Sequence, residues 1–356
     1  MGEFSSRNYA LNLSYTLFDG GKRRANRNIA YLNLGSDREY LRKNLIDLEY
    51  NVKSAFYTVL AQKESLTQRG VQLQDARKDY EIAGGRYKLG VAKLSDVLQA
   101  SVRLEQARFN LVQSEGNLRK AFSDLNSLIG NSLDSRYDIQ GSLDTDTKLP
   151  DKNSLYDAAL QRPEIKQAEN SLKIAENNKK SALSTFYPVV SAAASYTKTG
   201  GGTPGIGTAN GAAAGGIGFA TVSPEEKAIG VTATWNIFEL GKFFRYRSSK
   251  LEREVSSESL NDIKRQVLLN VHKTYEDFIT ASDQINVAQQ QLKQAEYNYS
   301  QALGEYKVGK ADILSLVQAE SLLSTAREQL VQSRLNLMLS RSLLERAAGI
   351  LWAHSP

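Results

Sequence analysis

From Lys22 to Leu89 the chain runs about 68 residues without a proline. Few folds can use such a stretch. Leu45, Leu48, Val52, Ala55, Val59, Gln62, Leu66, Arg69, Leu73, Ala76, Tyr80, Ala83 and Tyr87 follow one another in alternating steps of three and four. This is a heptad repeat with two polar interruptions. A continuous helix of that length is about 100 Å long at about 1.5 Å per residue, whereas globular helices average about 11–12 residues. Such a rod needs partners along its whole length. A second proline-free stretch, Lys242 to Val308, has nearly the same length.

The two stretches belong to a duplication. RYKLGVAKLSDVLQA (Arg86 to Ala100) returns as EYKVGKADILSLVQA (Glu305 to Ala319), an ungapped offset of 219. QARFNLVQSEGNL (Gln106 to Leu118) returns as TAREQLVQSRLNL (Thr325 to Leu337), and TLFDGGK (Thr16 to Lys22) resembles NIFELGK (Asn236 to Lys242). The repeated unit is therefore a strand end, a long helix, a turn and a return helix. The first return helix, Leu94 to Ile129, stops at Gly130, a suitable C-terminal residue. A polar connector, Leu133 to Pro150, follows, and helical pattern resumes from Asn153 to Ser184.

Where the long helices begin, the period changes to two. Tyr9, Leu11, Leu13, Tyr15 and Leu17 alternate with Ala10, Asn12, Ser14 and Thr16. Ile229, Val231, Ala233, Trp235 and Ile237 alternate with Gly230, Thr232, Thr234 and Asn236. Val190, Ala192, Ala194 and Tyr196 make a weaker version. Segments of about ten residues with one apolar and one small, polar face are the mark of a transmembrane β-strand, and Tyr9, Tyr15, Tyr196, Trp235 and Phe238 suit interfacial girdles. The competing reading is a strand of an ordinary sandwich. The expected divisions are a strand at 8–18, a helical hairpin at 22–130 with its tip near 86–96, and a linker at 131–152. A helix at 153–185, a β-hairpin at 186–239 with a Gly-rich loop at 200–224, and a second helical hairpin at 241–351 with its tip near 305–315 complete the chain.

Composition excludes several functions. The net charge of +6 is spread without the basic blocks of a nucleic-acid tail. There is no cysteine, and the two histidines, His272 and His354, are far apart, so neither a metal site nor a cofactor is expected. The G-x-G in the Gly-rich loop lacks a P-loop lysine. No nucleophile–base pairing is visible, and carboxylates alternate with Lys and Arg at helical spacings, as on solvated coiled-coil flanks. No apolar run is long enough for a membrane-spanning helix.

Strand, F-x-x-G-K, long helix, Y-K-x-G turn and Q-A helix, all occurring twice, resemble the TolC-type outer-membrane efflux channels. ALQRPEIKQAENSLKIAENNKKSALSTFYPVVSAAASY (Ala159 to Tyr196), with R-P-E opening a helix that leads to a strand, is also similar. The resemblance covers Tyr9 to Leu351. It implies a mainly α chain with transmembrane β-strands. Long antiparallel coiled-coil helices form a trimeric α-barrel tunnel in the periplasm, joined to a shared twelve-stranded β-barrel in the outer membrane of a Gram-negative bacterium. It implies a passive exit duct of a tripartite efflux or type I secretion system. Its partners are two further copies, a periplasmic adaptor (membrane fusion protein), an inner-membrane pump and outer-membrane lipid, with no nucleic acid. Drugs, metals and secreted polypeptide remain open as cargo. Against the family pattern, one short helix and the first of four strands are expected to be lacking at the N-terminus, and MGEF reads as a cloning remnant. The alternative is a soluble coiled-coil scaffold or spacer, for which lipid-facing strands serve no purpose.

The repeated turns are the expected functional site. Gly90 and Gly309 allow the chain to reverse. The resemblance implies an inter-hairpin gate contact between Asp96 and Tyr306, with Tyr87 as the other tip tyrosine. The family's acidic constriction falls at Ser315 and Gln318, neither of which is acidic, leaving Asp312 as the nearby carboxylate. Arg86, Lys88, Lys93, Lys307 and Lys310 make the tip basic, suiting either adaptor docking or the negative ends of helices.

Overall fold

The computed structural model describes residues 7–143, 151–200 and 225–350. Its elements are β1 (Arg7–Phe18), α1 (Lys22–Lys88), α2 (Leu94–Ile129), α3 (Lys152–Ala159), α4 (Pro163–Ser184), β2 (Val189–Gly200), β3 (Glu225–Thr234), α5 (Leu240–Lys307) and α6 (Ile313–Ala348). α1 has 67 residues and α5 has 68, and neither is broken. The Gly-rich loop lies outside the described residues.

Two compact units make up the chain. One comprises residues 1–37 and 168–260, the other residues 38–167 and 261–356. The first unit contains an antiparallel sheet in the order β1-β2-β3. Its register aligns Leu13 with Ala194 and Ile229, and Tyr15 with Ala192 and Val231, so these side chains share one face. Asn12, Ser195 and Ala228, with Ser14, Ala193 and Gly230, share the other. The alternation seen in each strand is thus summed into one apolar and one small, polar face. Among the described residues nothing covers the apolar face, where Leu13 is 70% and Ile229 90% exposed. β3 ends at Thr234, earlier than the expected strand. Trp235, just beyond the ladder, donates its indole N–H to the Phe186 carbonyl (3.1 Å).

The second unit contains the greater part of both helical hairpins, from residue 38 of α1 and residue 261 of α5 onward. Small residues recur every seven positions along their buried seams: Ala100, Ala107, Ser114 and Ala121 on α2, Ala281, Ala288, Ala295 and Ala302 on α5, and Ala319, Ala326 and Ser333 on α6. This spacing is the coiled-coil repeat, and small side chains let the helices approach closely. The connector is not merely polar. Ile139 and Leu143 join Val59, Leu60, Ala121, Leu125, Val331 and Leu335 in one apolar core.

The single helix expected over 153–185 is two helices, because Pro163 cannot donate to the preceding turn. The break has a use within the second unit. Arg162 is 8% exposed. Its Nη1 donates to the Ala347 carbonyl (2.8 Å), and its Nε and Nη2 donate to Glu164 (3.1 and 2.6 Å). The R-P-E sequence thereby satisfies a carbonyl at the C-terminus of α6 that helix geometry leaves unpaired.

Candidate functional site: the tip of the two helical hairpins

Both tip turns have the same backbone. Gly90 N–H donates to Tyr87 O (2.9 Å) and Val91 N–H to Arg86 O (3.0 Å); Gly309 N–H donates to Tyr306 O (3.1 Å) and Lys310 N–H to Glu305 O (2.9 Å). This nested pair of bonds is the Schellman arrangement, which needs a left-handed residue at its centre. Gly90 has φ +75° and Gly309 +81°, a region costly for any residue with a Cβ.

The following helices start differently. Lys93 precedes α2 without a side-chain cap. At the equivalent position Asp312 caps α6, accepting from the Ser315 N–H (3.0 Å) and hydroxyl (2.9 Å). These bonds, the backbone one foremost, hold its carboxyl below the usual range. Asp312, Ser315 and Gln318 are all exposed and lie opposite the buried Ile313, Leu316 and Glu320. Lys88, Lys93, Lys307 and Lys310 are exposed as well.

Beneath the turns the hairpins share a core of Ala83, Ala100, Ala302, Tyr306, Ile313, Leu316 and Ala319. Four of these are alanines related in pairs by the repeat, and Tyr306 is the large side chain placed among them. Only 1% of it is exposed, and the Arg86 guanidinium lies 4.4 Å from its ring centroid. Burial, then the charge of Asp96, raises the Tyr306 phenol above its ordinary value, while Arg86 opposes them. Asp96 and Tyr306 are thus within electrostatic reach, but within one chain the inter-hairpin bond that the resemblance implies is not made. Among the described residues the buried Tyr306 hydroxyl has no hydrogen-bond partner, and the Asp96 carboxylate accepts from Ser95 instead (3.4 Å). The contact between the hairpins at this point is Arg86 over Tyr306. Tyr87, at the matching position of the first repeat, is 45% exposed.

A second feature was not visible in the sequence. From the far end of the unit toward the tip, α1 and α6 are joined by charged rungs: Arg346–Asp47 (2.8 Å), Lys53–Glu345 (3.0 Å), Arg334–Glu64 (2.9 Å), Arg69–Glu328 (3.2 Å) and Arg327–Asp75 (3.1 Å). Burial alone would raise the Asp47 carboxyl, but bonds from Lys43 and Arg346 hold it below its ordinary value. The next position toward the tip breaks the pattern, with Asp79 and Glu320 both buried and both acidic. Asp79 accepts from the Tyr299 hydroxyl at 3.2 Å on each oxygen.

No described helix is long and apolar enough to cross a membrane, and among the described residues no cluster of three or more His, Asp or Glu is placed to hold a metal ion.

The sequence matches the family described as outer membrane efflux protein over residues 2–131 and 154–350. The toluene efflux pump outer membrane protein TtgC of Pseudomonas putida is 26% identical over 325 residues, which is 89% of this chain and 63% of TtgC. Outer membrane protein TolC of Escherichia coli is 21% identical over 307 residues, 85% of this chain and 61% of TolC. The chain thus spans somewhat under two thirds of the length of these relatives. The crystal structure of the outer membrane protein VceC from Vibrio cholerae has the same fold, with a TM-score of 0.80 at 19% identity, covering 98% of this chain and 80% of VceC.

Proposed function

The chain belongs to the outer membrane efflux protein family, and on that premise we propose that it is a protomer of a passive exit duct in the outer membrane. Three copies pool their strands into one twelve-stranded barrel and their paired hairpins, two repeats per chain, into a tunnel in the periplasm. The duct performs no catalysis. It serves a tripartite efflux or type I secretion system, receiving cargo from an inner-membrane pump through a periplasmic adaptor that meets the basic tip. The tip closes the tunnel.

The observation that carries this reading is the two-faced sheet. Leu11, Leu13, Ile229 and Val231 project from one face into solvent, an arrangement that water penalises by about 25 cal/mol per Å² and that lipid accepts. A water-soluble spacer gains nothing from it. The exposed apolar stripe of α2, Leu94, Leu98, Val102, Phe109 and Val112, supports a further copy at the helical level, since apolar patches of this extent normally mark an interface.

Membrane fractionation combined with chemical cross-linking in mild detergent tests the proposal. The expected result is recovery in the outer-membrane fraction with a ladder ending at three chains. Recovery as a soluble species, or as single chains in detergent, contradicts it.

A further inference from the structure

The ladder between α1 and α6 pairs acid with base at every rung until it reaches Asp79 and Glu320. These side chains are 5% and 6% exposed, and among the described residues neither has a cation within ion-pair distance. The neighbouring cations are engaged or solvated. On α6, Arg327 is bonded to Asp75 (3.1 Å). On α2, Arg103 donates to the Val317 carbonyl (3.2 Å). On α1, Lys78 approaches Asp75 (4.0 Å), and on α5, Lys307 is exposed. The polar groups facing the pair are Asp75 on α1 and the Tyr299 hydroxyl on α5, which donates to Asp79. Burying one unpaired carboxylate is costly, and burying two beside a third acid is more so, unless a proton neutralises them.

We propose that Asp79 and Glu320 are a proton-operated latch, which holds the two hairpins together beneath the tip when protonated and loosens them when ionised. The electrostatics agree in direction. Burial, reinforced by Asp75, pushes Asp79 up to about 6, against the opposing Tyr299, Lys307 and Lys78. Burial, reinforced by Asp79 and Asp75, pushes Glu320 up to about 7, against Arg103 and Arg327. Because both values are raised, the packed hairpins bind protons more tightly than the parted ones. The stabilisation is complete below the ordinary carboxylate range and is lost as pH rises through about 6 for Asp79 and about 7 for Glu320. At the far end of the ladder Asp47 behaves oppositely, since bonds from Lys43 and Arg346 hold its carboxyl below the ordinary value. The latch therefore operates between about pH 5 and pH 8, the window set by the two raised values.

For the duct, the consequence is a mouth that closes more firmly in mild acid. That consequence rests on the reading of the tip as a gate, whereas the latch itself does not. Hydrogen exchange on the full chain in detergent, expressed as protection factors corrected for intrinsic exchange, reads the latch directly. Protection of the tip amides around Ala83 and Ala302 should fall about tenfold or more between pH 5 and pH 8, since each unit of raised pKa is a factor of ten. Amides near Val59 and Val271 serve as the internal reference. Glu320→Gln, which mimics the protonated acid, should keep the tip protected at pH 8 and flatten the profile, and Asp79→Asn should do so in part. A flat profile in the parent protein overturns the proposal, as does an unchanged slope in both variants. If protection follows pH as expected while channel conductance does not, the latch stands and the gate reading fails.

Discussion

The Arg86 guanidinium lies 4.4 Å from the centroid of the Tyr306 ring, joining the first tip turn to the second hairpin through a buried aromatic face. This contact changes what a mutation at Tyr306 should do. The hydroxyl makes no hydrogen bond among the described residues, so Tyr306→Phe should leave the resting conductance of the assembled channel near its parent value. Arg86→Gln removes a cation–π contact worth about 0.5–2 kcal/mol and should raise the resting open fraction severalfold. Tyr306→Ala leaves a cavity costing about 3–5 kcal/mol and should open it most. Single-channel recording checks the order; a larger effect for Tyr306→Phe than for Arg86→Gln would refute it.

Tyr80 and Tyr87 occupy the positions in the first repeat that Tyr299 and Tyr306 occupy in the second, yet they are exposed. In the proposed trimer, repeat equivalence would put Tyr87 of one protomer against the second hairpin of the next, near Glu305. The chain has no cysteine, so Tyr87→Cys with Glu305→Cys offers a clean pair for a short bifunctional thiol reagent. Covalent three-chain species are expected on denaturing gels, and links confined to single chains would place the tyrosine elsewhere.

Arg162→Ala strands the Ala347 carbonyl and the Glu164 carboxylate at one step. Removing one partner of such a buried network costs about 3–5 kcal/mol. The melting temperature should fall clearly, whereas Lys63→Ala, whose partner Asp138 is 75% exposed, should have little effect. Differential scanning calorimetry in detergent distinguishes the two.

On the sheet, Ile229→Lys places a charge on the apolar face and should cost about 2–4 kcal/mol if that face meets lipid near mid-membrane. Ser14→Lys, on the opposite face, should be tolerated. Comparable yields of both variants in the outer-membrane fraction would argue against lipid on the Ile229 side.

Much of the architecture was legible because it is periodic. The two-residue alternation located the sheet, and the register then combined the three strands into two faces. The proline-free heptads located α1 and α5, and the glycines of the Y-K-x-G turns marked their ends. The tip chemistry was less legible. YKLG and YKVG are nearly identical locally, yet Tyr87 is exposed and Tyr306 buried, because only Tyr306 has the other hairpin over it within the chain. Asp79 stands among Asp75, Arg77, Lys78 and Glu81, a run that reads as a solvated flank. What sets it apart is the helix packed against it, which local sequence does not encode. Within one chain Asp96 and Tyr306 are not hydrogen-bonded. The partner that reaches the ring is Arg86, one of the five residues that make the tip basic.

As proposed, this chain builds a conduit closed at its hairpin tip. Planar-bilayer recording of the protein extracted from the outer membrane, before and after Arg86→Gln, tests it most directly. The expected result is discrete channels with low resting conductance in the parent and a raised open fraction in the variant, at equal yield of the three-chain species. Three-chain protein that produces no discrete conductance steps, in parent or variant, would contradict it.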